Sequence, residues 1–301
     1  MSVYQNLMSQ IDNSGLLFNV AECDLYTDYN QPSDGLMLNK ESPVGNKKAL
    51  INTANGKVMS VVSKGYKVVT NEEIFSGFCR SVEASRIDAD GAQVNVRQTP
   101  DGARAMVDFV FPNQLLRVGH DESTTALQLC ALNSFDGTTR YITKAGGLRM
   151  KCLNGQILGN IVGAYSSTHT SQLDVDAGAE SVIRMIEQFN KASDYWGAMM
   201  KVSVGKETAD KVFMKFLMIK ELNPKYENSR LERCRQLWRQ YSGEMGRNAY
   251  ALYNVLTHYV SHQEKAYKNP CAAMMHQRSQ LEKIQLKAEP FVQARKLELA
   301  A

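Results

Sequence analysis

The sequence predicts an α+β protein, in which an N-terminal antiparallel β-meander with an inserted helix is followed by an all-helical C-terminal half. Apolar and polar residues alternate with a period of two in several segments before residue 173, as in half-buried strands. Beyond this point the period lengthens to 3.6, with Val182, Ile186 and Phe189 at helical spacing. A run of strands followed by a run of helices is typical of the α+β class.

These patterns divide the chain into three parts. Residues 1–56 contain several prolines and glycines and are expected to be irregular. A β-rich core domain is expected over residues 57–173. A helical region that packs on this core, or extends from it, is expected over residues 174–301.

Local signals place the elements of the β-rich part. Asn71 is the predicted N-cap of a helix that runs to about Ser85, because its side chain can accept the amide hydrogen of Ile74. The stretch from Asn133 to Gly137 supplies a turn, in which Gly137 is free to adopt a positive φ. The strands predicted around these two features cover residues 58–63, 66–69, 93–98, 103–111 and 127–132.

The helical half contains four further predicted helices after the one that holds Phe189. Asn223-Pro224 closes the first of the four, and Pro290 kinks or divides the last. The four helices cover residues 207–221, 229–241, 247–267 and 274–299.

Composition limits the class of protein. A chain of 301 residues with 44% hydrophobic content can bury a sizeable core. Its apolar runs are shorter than the roughly 20 residues of a membrane span, and its N-terminus does not resemble a secretory signal. The six cysteines are scattered without a Cys-x-x-Cys pair, as is typical of reduced thiols. These features predict a cytoplasmic protein with no membrane contact.

Charge is distributed unevenly along the chain, whose net charge is +4. Residues 1–180 hold 15 basic and 19 acidic residues, whereas residues 181–301 hold 20 basic and 12 acidic residues. This asymmetry suggests either an acidic partner or complementary packing between protomers of a homo-oligomer. A solvated, lysine-rich helical surface explains it equally well.

Enzyme motifs are absent from the sequence. It contains no phosphate-binding GxxxxGK[ST] loop, and no set of nucleophile, base and orienting group can be nominated. His258 and His262 have the i, i+4 spacing of metal ligands, but no glutamate follows His258 and no third ligand is evident. The sequence therefore predicts a protein that is not an enzyme and that needs no cofactor or metal.

Two basic clusters favour nucleic-acid binding, in which cations neutralise phosphates and aromatic rings stack on bases. An exposed sheet face and an amphipathic core helix are the alternative explanations. The residues of the first cluster, on and near the strands after the turn, are Arg140, Tyr141, Lys144, Arg149, Lys151 and Asn154. The residues of the second cluster, on a predicted helix, are Arg230, Arg233, Arg235 and Arg239.

Three segments carry a resemblance to a known family. NSFDGT at residues 133–138 resembles the Asn-Ser-His-Asp-Gly-Ser segment of an uncharacterised plasmid- and phage-borne family that includes YafZ, YfjQ and YubP. RMKCLNGQILGNIVG is similar to the family's Arg-Phe-Val-Cys-Thr-Asn-Gly-Leu-Val-Cys-Gly-Asn segment, and KGYKVVTNEEIF to its strand-to-helix entry. His169 falls near a family histidine. Phe135 replaces another histidine of the family, so no catalytic role is implied there.

The resemblance implies a phage or plasmid context, because the family has no established activity. With the basic clusters, it leads to two hypotheses. The first is a single-stranded DNA-binding protein that works as a homo-oligomer in recombination or replication, with strand annealing as one use of the binding. The second is a protein-interaction module, such as an inhibitor of a host defence or restriction system, whose partner is a host protein.

Overall fold

The computed structural model of the protein describes residues 1–29, 32–33, 36–37, 40–151, 154–157, 165–219 and 229–262. Its strands are β1 (Val20–Tyr29), β2 (Pro32–Ser33), β3 (Leu36–Met37), β4 (Lys40–Asn52), β5 (Lys57–Ser63), β6 (Gln93–Gln98), β7 (Arg104–Arg117), β8 (Thr124–Ser134), β9 (Tyr141–Arg149), β10 (Asn154–Ile157) and β11 (Tyr165–Ser167). Its helices are α1 (Val3–Asp12), α2 (Asn71–Ala84), α3 (Val175–Phe189), α4 (Ala192–Met200), α5 (Lys206–Phe216), α6 (Ser229–Met245) and α7 (Ala249–Ser261).

The N-terminal segment is regular over much of its length, so the expectation of an irregular segment at residues 1–56 is wrong. Helix α1 begins with a capping box in which the Ser2 side chain accepts from the backbone of Gln5, and the Gln5 side chain accepts from the backbone of Ser2. Strands β1, β4 and β5 form an antiparallel sheet. The prolines and glycines of this segment predicted irregular structure, but some of them lie within strands. Pro32 lies in a short hairpin, and Pro43 pairs with Tyr26.

The main sheet is an antiparallel meander in the order β10-β9-β8-β7-β6, with β11 also paired to β9. This agrees with the predicted fold class, in which strands precede the helices of the C-terminal half. The strands predicted at residues 93–98 and 103–111 are present as the hairpin of β6 and β7. Strand β7 runs on to Arg117, because its register shifts after Phe111 and pairing resumes at Leu115.

One face of this sheet packs on the helices α2 and α3. Phe109 of β7 stacks on Phe78 of α2, with ring centroids 4.5 Å apart. Thr143 of β9 shares a hydrogen bond with Ser181 of α3. Alternation along β9 therefore turns its odd-numbered side chains toward the helical layer.

Helix α2 was predicted closely, but its N-cap is Thr70 rather than Asn71. The Thr70 side chain accepts from the backbone of Glu73, and the Glu73 side chain accepts from the backbone of Thr70. Asn71 is fully buried in the first turn, where its amide donates to the Leu16 carbonyl. The strand predicted at residues 66–69 is absent, since this segment has no regular structure.

The change of period after residue 173 does mark the transition from sheet to helices. The described residues beyond that point form five helices, and those after residue 180 contain no strand, only an isolated bridge between Ser203 and Asn248. The helix predicted at residues 274–299 lies outside the described residues. In the ranges that are described, no helix combines the length and apolar character needed to cross a bilayer.

Candidate nucleic-acid interface

The strand cluster does not form one exposed surface. Arg140 is exposed just before β9, whereas Lys144 is partly buried opposite Cys130, on the sheet face that points away from α2 and α3. Lys151 is exposed, and its Nζ atom lies 3.3 Å from a carboxylate oxygen of Glu244. Asn154 pairs with β9 through its backbone, and its side chain lies outside the described part of the structure.

Tyr141 belongs to the core and not to a binding surface. Its side chain is fully buried against α3, where a Cβ added at Gly178 would lie 2.5 Å from its ring. Burial also raises the pKa of its hydroxyl. A ring without exposed surface cannot stack on a base, so the sequence-based assignment of Tyr141 was wrong.

Arg149 is also buried, with 1% of its surface exposed. Its Nε and Nη2 atoms donate to the two carboxylate oxygens of Asp121 at 2.8 and 2.7 Å. A carboxylate oxygen of Glu244 lies 3.7 Å from its Nη2, and its guanidinium carbon lies 5.7 Å from the ring centroid of Tyr241. This bidentate ion pair neutralises the charge, so Arg149 joins the sheet to α6 and does not contact phosphate.

Residues two positions apart, such as Arg149 and Lys151, share one face of a continuous strand. They do not share one here, for a local reason. Strand β9 ends at Arg149, and Met150 and Lys151 lie in a turn, so the alternation of faces does not reach Lys151. The partner Asp121 lies in the loop between β7 and β8, 28 residues away along the chain. No pattern in the sequence indicates that pairing.

The helical cluster differs from Arg149 and Tyr141, because most of its arginines are exposed. Arg235 is neutralised by Asp210 of α5 and Glu232 of α6, whose oxygens lie 3.0 and 2.6 Å from its guanidinium nitrogens. The other three arginines are exposed, and among the described residues none has a carboxylate within ion-pairing distance. Their helical spacing spreads these three over about half of the circumference of α6. We call them the α6 arginine face; they are Arg230, Arg233 and Arg239.

Helix α7 packs beside this face and brings further polar groups to it. The Tyr241 hydroxyl of α6 lies 2.8 Å from Nδ1 of His258. Burial, the neighbouring His262 and the charge of Arg233 lower the pKa of His258 to about 4. Burial raises the pKa of Tyr259, and the positive charge of Arg230 acts to lower it. The arginine face therefore creates a positive potential that acts on α7.

A second constellation contains residues that carry the family resemblance. The Asn133 amide donates to the Val69 carbonyl and to Oδ1 of Asn71 at 3.1 and 2.9 Å. The Tyr66 hydroxyl donates to the Ser134 carbonyl at 2.7 Å. His169 stacks on Tyr66, with ring centroids 4.9 Å apart. The turn thus holds together the segment before α2 and the segment after β11. No pattern in the sequence predicts this contact.

Most polar groups around this turn form hydrogen bonds with neighbouring residues. Burial would raise the pKa of Asp136, but hydrogen bonds from Thr138 and Arg104 outweigh it and hold the pKa below its usual value. Phe135, which replaces the family's histidine, is buried against Phe18 in the core beneath the small sheet. These hydrogen bonds are structural, and two buried polar atoms of the constellation, Oδ1 of Asn133 and Nε2 of His169, have no partner among the described residues.

The described residues also contain few side chains suited to covalent chemistry or to holding a metal. Burial raises the pKa of the thiols of Cys79 and Cys234 to about 12, so both are unreactive at neutral pH. Within the described ranges, no group of three or more His, Cys, Asp or Glu side chains is arranged to hold a metal. The exposed arginines are suited to electrostatic binding of an anion.

Comparison with known proteins places the chain in a family. Neither the curated proteins nor the solved structures gave a match. A family model spans residues 58–288, which is most of the chain and includes the meander, α2 and all the C-terminal helices that the structure describes. The protein belongs to the family described as Domain of unknown function (DUF932).

Proposed function

We propose that the protein binds single-stranded DNA through the α6 arginine face and is encoded by a phage or plasmid, acting in the bacterial cytosol. The observation that carries the proposal is the difference between Arg235 and its neighbours. Arg235 has two carboxylate partners, whereas Arg230, Arg233 and Arg239 have none among the described residues. Three exposed cations on one helix are a favourable site for a chain of phosphates.

Binding at such a face depends on charge and carries no sequence information. Arginines that contact phosphates release condensed counterions from the nucleic acid, so affinity falls as salt rises. The face lies in the half of the chain that has an excess of basic residues, 20 against 12 acidic ones in residues 181–301. Homo-oligomerisation would multiply the number of contacts, and strand annealing is one use of that arrangement.

The test is a titration of labelled single-stranded DNA at several salt concentrations. Each phosphate contact contributes about 0.7 to the slope of log affinity against log salt for single strands. Arg230→Ala combined with Arg239→Ala should therefore weaken binding and flatten the slope by roughly 1.4. Duplex DNA and RNA of equal length, measured in parallel, show which nucleic acid is preferred.

The matched control removes two exposed arginines elsewhere, Arg117→Ala on β7 with Arg184→Ala on α3. This control loses the same net charge, so it should keep nearly the parent's slope if the contacts are local to α6. Equal losses in the two double variants would mean that binding follows net charge alone. Absence of binding by the parent protein would refute the proposal.

The interaction-module hypothesis has one observation in its favour. Val58 and Val61 of β5 are 58% and 52% exposed on the small sheet. Their neighbours in register are Ile51, which is partly buried, and Ala49, which is buried, so the exposed apolar surface here comes mainly from the two valines. If the parent protein does not bind DNA, a host-protein partner at this face becomes the leading hypothesis, tested by Val58→Lys and Val61→Lys in a binding assay with the candidate host protein.

A further inference from the structure

Two histidines lie together at the C-terminal end of α7. His258 and His262 are one helical turn apart, and their ring centroids are separated by 4.4 Å with an interplanar angle of 45°. Side chains at i and i+4 lie on the same helix face, so both rings project from one side of α7. Two histidines at this spacing on one helix face are also found as ligand pairs in zinc sites.

The structure adds a feature that the sequence spacing did not contain. The Tyr241 hydroxyl lies 2.8 Å from Nδ1 of His258, which engages this nitrogen and fixes the orientation of the ring. Tyr241 is itself fully buried, with Arg149 over its ring, so the hydroxyl is rigidly placed. Metal-ligating histidines are usually held in this way, with one ring nitrogen bonded to a protein group and the other on the metal.

We propose that His258 and His262 chelate a divalent transition-metal ion of the borderline class, Zn²⁺, Ni²⁺ or Cu²⁺, with water completing the coordination shell. Imidazole is a favoured ligand for each of these ions. Among the described residues, no third His, Cys, Asp or Glu side chain joins the two imidazoles. The charge of Arg233 opposes the ion, but Arg233 is exposed and water screens it.

The experiment is a calorimetric titration of the full-length protein, without a histidine tag, with Zn²⁺, Ni²⁺ and Cu²⁺ separately at pH 7.5. One ion per chain should bind to the parent protein. His262→Ala should weaken binding at least tenfold, since a single imidazole then remains. This variant keeps the fold, because His262 is exposed at the end of α7. Tyr241→Phe should weaken binding roughly tenfold by releasing the His258 ring.

The matched control is His120→Ala, which removes an exposed histidine from the loop before β8 and should leave metal affinity unchanged. Arg233→Ala should tighten binding, because it removes the opposing charge. The proposal is overturned if the parent binds none of the three ions, or if His262→Ala binds as tightly as the parent. Either result is independent of DNA binding, which is measured without metal.

Discussion

Arg149 and Asp121 form a buried ion pair whose removal has a large expected effect. Both side chains are almost inaccessible, at 1% and 2% exposure. Replacing one partner leaves the other charge buried and unpaired, which typically costs about 3–5 kcal/mol. Arg149→Ala and Asp121→Ala should each lower the free energy of unfolding by about this amount, as measured by urea denaturation.

Two further variants make this measurement specific. Lys151→Ala breaks an exposed contact with Glu244 and should cost less than about 1 kcal/mol. Arg149→Met combined with Asp121→Leu removes both charges together and should recover most of the stability lost in the single variants. A loss below about 1 kcal/mol for Arg149→Ala would mean that the pair is not buried in solution.

Gly137 tests the turn between β8 and β9. Its φ is +69°, as the sequence predicted, and an added Cβ would meet only the Tyr66 ring at 4.0 Å. Space is therefore available, and the cost of Gly137→Ala comes from the backbone alone. We expect a destabilisation of about 1 kcal/mol in thermal or urea unfolding.

The control for this change is Gly243→Ala, at an exposed glycine within α6 that has open space around its Cβ position. Here alanine favours the helix, so this variant should gain up to about 1 kcal/mol. The two substitutions are chemically identical and have opposite expected signs. If Gly137→Ala were also stabilising, the turn would not hold its left-handed conformation.

At the scale of elements, helix α1 protects the open edge of the main sheet. The Gln10 side chain accepts from the Val94 amide at 3.1 Å and donates to the Ala92 carbonyl at 3.2 Å. Strand β6 is the last strand of the sheet, so these bonds stand in for a neighbouring strand. Gln10→Ala should cost about 1–2 kcal/mol in unfolding free energy.

The control for Gln10→Ala is Gln240→Ala on the exposed side of α6, which should change stability by less than about 0.5 kcal/mol. Hydrogen exchange provides an independent readout, because the Val94 amide should lose protection in Gln10→Ala. Unchanged protection there would show that α1 does not cover the edge.

The elements differ in how well the sequence predicts them, and the reasons are physical. The helix α2 and the β6–β7 hairpin follow from local signals, namely a polar cap before an apolar stripe and a Pro-Asp-Gly turn between alternating segments. The small N-terminal sheet does not, because its strands contain Pro43 and Gly45, which usually interrupt strands. Long-range pairing with β1 and β5 overcomes that local preference.

At the scale of the whole molecule, the sequence predicts the order of sheet and helices but not the partners of its charges. The period of two along β9 is visible in the sequence, yet it does not show which face meets the helices. The sequence alone does not distinguish the role of Arg149 from that of Arg230. Only tertiary contacts make Arg149 a buried structural residue and Arg230 an exposed one. The sequence therefore narrows the candidate site only to two clusters, and the exposure of Arg230, Arg233 and Arg239 is the observation that supports the proposed site on α6.

The stability of the whole molecule should fall as the solution is acidified, and His169 is one cause. His169 is 5% exposed, and burial lowers its pKa from 6.5 despite a hydrogen bond to the Lys67 carbonyl that acts in the opposite direction. In the unfolded chain the same histidine takes up a proton at a higher pH. The unfolded state therefore binds more protons below about pH 6.5, so the free energy of unfolding decreases as the pH falls through this range.

The measurement compares the free energy of unfolding between pH 7.5 and pH 4.5 in the parent and in His169→Gln. The variant should be less stable at pH 7.5, because it loses the stacking on Tyr66, but its stability should fall less steeply on acidification. Asp136 does not confuse the comparison, since its pKa is held below 3.8 and its contribution is lost only at lower pH. A His169→Gln slope equal to the parent's would mean that folding does not lower the pKa of His169, and the burial of its ring beside Tyr66 would then need to be revised.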